Sequence, residues 1–256
     1  MTGAPPERNI KLTVEYDGTA YAGWQFQVGL PTVQQRLMEA IERMAGHVPL
    51  LAVAGRTDAG VHAEGQVTNF RTTCGIEARR FVPGLNSLLP RDISVHSAEE
   101  VPVSFDARHH SVSKIYRYRV YVGWGRAALE EHRAWHIRHA FDLPAMRAAA
   151  ALLVGDHDFN AFRSTACDAP HARRNMFSID VDQRPRAPSG EVVEITFHAN
   201  AYCRHMCRIL SGTLVEVAVG KRDVQSVAHA LAKGDRTLAG MTAPPCGLTL
   251  LTVFYS

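Results

Sequence analysis

The chain has 256 residues, of which 46% are apolar, so it can bury a large core as one big domain or two moderate ones. Its 28 Lys and Arg against 25 Asp and Glu give a net charge of only +3, and no apolar run approaches the roughly 20 residues that a membrane span needs. Five cysteines in no framework spacing and an N-terminal stretch, MTGAPPERNIKL, without an apolar signal core lead to the expectation of a reducing cytoplasm. NIKLTVEYD then alternates Ile10, Leu12, Val14 and Tyr16 with polar residues, the pattern of a half-buried strand. Thr32 stands where an N-cap belongs, and Val33, Leu37, Ile41 and Met44 fall on one face of the helix that follows. Leu50 to Ala54 reads as a buried strand, Val67 to Phe70 as another, residues 76 to 89 as a helix bent or shortened by Pro83, and Asp92 to Ala98 as a strand.

The second half repeats this order. IYRYRVYV is a predicted strand, and Asp142 to Val154 a helix with Leu143, Met146, Ala150 and Leu153 on one side. Phe177 to Val181 and Val192 to Phe197 are predicted strands joined by the turn-rich RPRAPSG. Arg204 to Val219 reads as a strongly apolar helix, Val224 to Ala232 as a shorter one, and Thr249 to Phe254 as the last strand. The expectation is therefore an α+β protein of two tandem split-βαβ halves, residues 1–105 and 106–256, with the junction within 100–111.

The chemistry-bearing residues are sparse. Neither G-x-G-x-x-G, nor a P-loop, nor a G-x-S-x-G elbow is present. Asp156, His157 and Asp158 sit in a predicted helix-ending loop where adjacent side chains diverge, so capping or surface roles are expected rather than a metal. Cys203 and Cys207 share a predicted helix face from which His205 points away, which suits packing better than metal ligation. AGRTDAGVHAEGQV, residues 54 to 67, places Asp58 between Gly55 and Gly60. That Asp is either a turn or capping residue, or an ionised carboxylate presented in a glycine frame with Arg56 beside it. In IYRYRV, Tyr116 and Tyr118 share one strand face, and Arg117 and Arg119 the other. Arg208 lies within an apolar helix and needs a carboxylate partner, for which Asp58 is the candidate. Basic clusters at 108–110, 113–119, 171–174 and 203–208, interleaved with aromatics, suit an RNA partner as well as an ordinary solvated surface.

GRTDAGVHA closely resembles the catalytic motif of the tRNA pseudouridine synthase A family. YDGTAYAGWQFQ (16–27), LNSLLPRDISV (85–95), FDARHHSVSKIYRY (105–118), DFNAFR (158–163), HMCRILSGTLVEVAVGK (205–221) and APPCGLTL (243–250) resemble it too, in order and spacing. The resemblance implies the pseudouridine synthase fold, with two α+β halves joining their sheets around a basic cleft. It implies a homodimer that isomerises uridines at positions 38 to 40 of the tRNA anticodon stem-loop, with no metal or organic cofactor and no DNA or membrane partner. By the same resemblance Asp58 is the catalytic aspartate, Tyr116 stacks on the target base, Arg208 pairs with the aspartate, Leu248 forms the apolar wall under the base, and Arg56 serves RNA binding and base flipping. Cys207 and Ile209 flank Arg208 where the family usually has a branched aliphatic and a polar or basic residue, and Asn160 stands where a Ser is common. Two other classes remain to be separated from this one: a catalytically silent RNA-binding protein, and a carboxylate hydrolase, which needs a second positioned carboxylate.

Overall fold

The structure, a computed structural model, describes residues 6–256; the first residues of the Pro-containing leader lie outside them. The chain divides into two compact units. One ends at Val112 and takes in Leu250–Ser256; the other is Ser113–Thr249.

In the first unit, β1 (Arg8–Tyr16), α1 (Val33–Ala45), β2 (Ala52–Val53), β3 (His62–Thr72), α2 (Phe81–Leu88) and β4 (Ile93–Val101) follow the order read from the pattern. β1 is central between β4 and β3, antiparallel to both, and the terminal strand β10 (Leu248–Tyr255) lies on the far side of β3. The apolar face of β1 is fully buried at Ile10, Leu12 and Val14, as are Leu37 and Ile41 of α1. Phe70 of β3 meets Phe81 of α2 edge-on, with ring centroids 5.5 Å apart. Thr32 caps α1 as expected, its Oγ1 accepting the Gln35 N–H, and Gly46 ends the helix in the left-handed region.

One expectation fails in this unit and another holds in part. The Leu50–Ala54 strand shrinks to β2, and Leu50 is 90% exposed. Pro49 has no N–H for the ladder, so pairing with β3 begins only at Ala52. The helix read over 76–89 is shortened rather than bent, running only over Phe81–Leu88. A 3-10 turn at Ala78–Arg80 precedes α2, and Pro83 sits in the first turn of α2, where its missing N–H has no intrahelical partner to lose.

The second unit contains β5 (Ser111–Val122), β6 (Trp135–Ile137), α3 (Leu143–Ala151), β7 (Gly155–Asp158), β8 (Arg173–Pro185), β9 (Glu191–Ala199), α4 (Met206–Ala218) and α5 (Gln225–Lys233). Its antiparallel strands run in the order β5, β9, β8, β7, with β6 parallel to β5. The class is α+β, as expected, but β6 and β7 are additions that the tandem pattern lacks. β7 occupies the supposed helix-ending loop. There Asp156 pairs with Arg173 at 2.9 Å, His157 meets the Val154 carbonyl, and Asp158 accepts the Asn160 N–H. Cys203 and Cys207 do not share a helix: His205, at φ 63°, interrupts the regular backbone between Cys203 and the start of α4. Among the described residues no helix is long and apolar enough to cross a membrane.

The Thr32 cap yields the first prediction. Thr32→Ala removes the acceptor for Gln35 N–H and should lower unfolding stability by about 1 kcal/mol, seen as a lower denaturant midpoint at unchanged slope.

Candidate active site

Asp58 and Arg56 belong to the first unit; Tyr116, Arg208 and Leu248 belong to the second. The Asp58 backbone does form a turn, with the Val61 N–H donating to the Asp58 carbonyl at 3.1 Å. Gly60, the third residue of that turn, has φ 77°, which a type II turn demands. The turn reading and the presented-carboxylate reading are thus compatible, because the turn uses the backbone of Asp58 and leaves its half-buried side chain to other contacts. Arg56 is exposed.

A distant segment, residues 16–24, holds this turn. A Cβ on Gly23 would stand 2.7 Å from the Thr57 carbonyl oxygen and 3.1 Å from the Ala59 nitrogen. One on Gly18 would stand 2.0 Å from the Val61 carbonyl oxygen. The glycines that close approach demands are therefore those of YDGTAYAGW. Around them, Trp24 N–H donates to the Thr57 carbonyl at 3.1 Å, Gly60 N–H to the Tyr21 carbonyl at 3.3 Å, and Gly18 N–H to His62 Nδ1 at 3.0 Å. Beneath the turn the hydroxyls of Tyr16 and Thr57 share a hydrogen bond of 2.7 Å. Gln66 Nε2 donates to the Gly55 carbonyl at 2.8 Å and to the Tyr16 hydroxyl at 3.3 Å. Burial pushes the Tyr16 phenol up to about 12, against the opposing hydrogen bonds of Thr57 and Gln66.

In the second unit the alternation of IYRYRV holds. Tyr118 is fully buried and Tyr116 nearly so, while Arg119 meets Glu194 at 3.2 Å and Glu130 at 3.1 Å, and Arg117 approaches Glu194 at 3.7 Å. These arginines engage acids. Tyr116 is braced edge-on by Tyr202, with centroids 5.0 Å apart, and the Tyr202 hydroxyl donates to the carbonyls of Lys114 and Phe197. Arg208, on α4, is half-buried among the buried Cys207, Ile209 and Leu210. Its Nε donates to the Ala243 carbonyl at 2.9 Å, and the Ala243 N–H returns to the Arg208 carbonyl at 3.1 Å. Leu248 is buried, and the Tyr118 hydroxyl donates to the nearby Pro244 carbonyl. Tyr16, Thr57, Gln66, Gly18, Gly23 and Tyr202 all support the site residues, and reasoning from the sequence gives none of them that role. The close spacing of Tyr16, Gly18 and Gly23 was the available signal. Among the described residues no group of three or more His, Cys, Asp or Glu side chains could hold a metal.

A profile of the family described as tRNA pseudouridine synthase matches residues 12–110 and 149–256. The chain belongs to that family. Among curated relatives named tRNA pseudouridine synthase A, that of Geotalea daltonii is 45% identical over 97% of this chain and 100% of its own length. That of Myxococcus xanthus is 46% identical over 96% of this chain and 91% of its own, and that of Acetivibrio thermocellus 39% identical over 97% and 100%. Both the Asp58 turn and the Arg208 helix lie within the family match.

Tyr16 yields a pH prediction. Its folded phenol holds its proton above the ordinary value near 10, so the folded state binds more protons than the unfolded state once the unfolded phenol ionises. Its contribution is complete below about pH 10 and is lost as pH rises toward 12. Tyr21, Tyr118, Tyr202 and Tyr255 are raised too, each chiefly by burial, so the variant must be compared with the parent. Tyr16→Phe should cost about 1–3 kcal/mol at neutral pH, because it strips the Thr57 hydroxyl of a buried partner. It should also weaken the decline in stability with alkali, measured by denaturant titrations at successive pH values from about 9 to 11.

Proposed function

We propose that this chain isomerises uridine to pseudouridine in tRNA, with Asp58 as the catalytic carboxylate. Membership of the tRNA pseudouridine synthase family supports the reaction. The observation that carries the role of Asp58 is its setting. The side chain is half-buried on a turn whose backbone is gripped by Gly18 and Gly23 and underpinned by Tyr16 and Gln66. A carboxylate held this firmly suits a reaction at a sugar carbon, where a small misplacement costs much of the rate.

The reaction breaks the N1–C1′ bond, turns the uracil, and forms a C5–C1′ bond while the C5 proton leaves to solvent. It is an isomerisation and needs no redox partner. Asp58 can attack C1′, stabilise positive charge there, or remove the 2′ proton. Arg208 is the cationic partner we assign to that carboxylate. Tyr116 stacks on the uracil and offers a hydroxyl for the C5 proton, Leu248 forms the wall below the base, and Arg56 binds RNA as the target nucleotide leaves its stack. That extrusion costs a few kcal/mol, which stacking and phosphate contacts offset. The target uridines are those at positions 38 to 40 of the anticodon stem-loop, and the working form is a homodimer. Five cysteines in no framework spacing support a reducing cytoplasmic location.

The test is tritium release from tRNA transcribed with uridine labelled at C5. The wild-type chain should release label, and Asp58→Ala should cut the rate by at least about 10³-fold while filter binding of the tRNA largely survives. Equal rates in the two would remove Asp58 from the chemistry. Binding without release by wild type would favour the silent RNA-binding reading. Tyr116→Phe keeps the stacking ring and should slow release; an unchanged rate would exclude any part for the hydroxyl. Replacing uridines 38 to 40 by cytidine should abolish release if those positions are the targets.

A further inference from the structure

Cys167 and Cys203, far apart in the chain, meet beside the start of α4. Ser164 N–H donates to the Arg204 carbonyl at 3.0 Å, and the Arg204 guanidinium to the Ala166 carbonyl at 3.2 Å, so the 164–167 turn is fastened to residues 203–204. Within this clasp the Arg204 backbone N–H donates to the Cys167 sulfur at 3.4 Å, which sets Cys203, the residue before Arg204, beside that sulfur. Cys167 is partly exposed, whereas Cys203 is 5% exposed. Neither sulfur has a part in the chemistry proposed above.

We propose that Cys167 and Cys203 form a peroxide-reactive dithiol, with Cys167 as the attacking sulfur and Cys203 as the resolving one. Three features support the assignment. Cys167 is reachable by solvent. Its sulfur accepts the Arg204 N–H, an interaction that favours a thiolate, and its partner is the residue next to that N–H. Burial tends to raise the Cys167 thiol, but the N–H groups of Ala169 and Arg204, the Arg163 guanidinium and the Cys203 hydrogen bond together hold it below its ordinary value. Burial raises the Cys203 thiol, which keeps it protonated as the donor of the pair.

The chemistry balances with hydrogen peroxide as oxidant. The Cys167 thiolate attacks one peroxide oxygen, the O–O bond breaks, and the departing hydroxide takes up a proton to become water. The resulting sulfenic acid is then attacked by the Cys203 sulfur. The S–S bond forms, the S–O bond breaks, and a second water leaves with the Cys203 proton. Two thiols lose two electrons and peroxide gains them. Arg204 and the start of α4, which carries Arg208 two residues into the helix, adjoin the new bond. A consequent loss of tRNA turnover rests on the function proposed above, whereas the covalent readout does not.

The full chain is treated with limiting peroxide, alkylated, digested without reductant and analysed by mass spectrometry. The expected product is a Cys167 peptide joined to a Cys203 peptide and released by dithiothreitol. Cys203→Ser should stop at a Cys167 sulfenic acid that dimedone traps. On the untreated wild-type chain, iodoacetamide should alkylate Cys167 at least about tenfold faster than the partly exposed Cys74. The proposal is overturned if Cys74 or Cys246 reacts first in the wild-type chain. It is equally overturned if Cys167 passes to the sulfinic acid with no link to Cys203.

Discussion

The backbone at Thr57–Ala59 is fixed by steric fit against Gly23, and the position of Asp58 follows from it. With the Gly23 Cα so near the Thr57 carbonyl, any side chain there would push the turn outward by a sizeable part of an ångström. The two segments are far apart in sequence, so their contact must offset the entropy of ordering both, about 1–2 kcal/mol per residue. Trp24 and Tyr16, both almost fully buried with rings 6.0 Å apart, supply apolar burial at the same point. A buried aromatic of this kind contributes roughly 1.5–3 kcal/mol. Packing brings the segments together, the glycines let them touch, and the hydrogen bonds of Trp24, Gly60 and Gly18 set the register.

The second unit positions its side chains by the same economy of means. Tyr116 is held by a ring, Tyr202, that is itself locked by two backbone carbonyls. Arg208 is clipped to Ala243 through both side chain and main chain, which directs the guanidinium from a helix otherwise buried on most sides. A long cationic side chain loses much rotamer freedom when it must point one way. The Ala243 carbonyl on a neighbouring loop supplies one such restriction.

Much of the first unit was legible because its strands alternate strictly and its first helix carries a capping residue. Thr32 and the β1 pattern needed no tertiary information. Leu50 extends an apolar run and so looks like part of a strand, but pairing with β3 begins only at Ala52 and leaves Leu50 exposed. β6 and β7, three and four residues long, are too short for a period to show. Asp58, Tyr116 and Arg208 were marked by motif and by an arginine in apolar company, but their supports were not. Tyr16 reads as one more inward residue of β1, and its bond to Thr57 exists only because the fold brings β1 beside the turn. Sequence pattern reports which face a side chain takes; it does not report what the chain folds against that face.

Charge behaves the same way. Four basic clusters invite an RNA reading from sequence, yet they separate once their partners are known. Arg117 and Arg119 are engaged by Glu194 and Glu130, and Arg173 by Asp156. The 108–110 cluster is different. Asp106 accepts the N–H groups of Arg108 and His109 and also meets the His109 ring at 3.0 Å, while His110 Nδ1 accepts the Asp106 N–H, so of the three exposed side chains His109 and His110 are engaged within the turn. Phosphate binding needs cations that face solvent and are not already neutralised at short range. By that criterion the exposed side chains of Arg108 and Arg56 meet the requirement better than the more arginine-rich strand β5, although composition alone ranks them the other way.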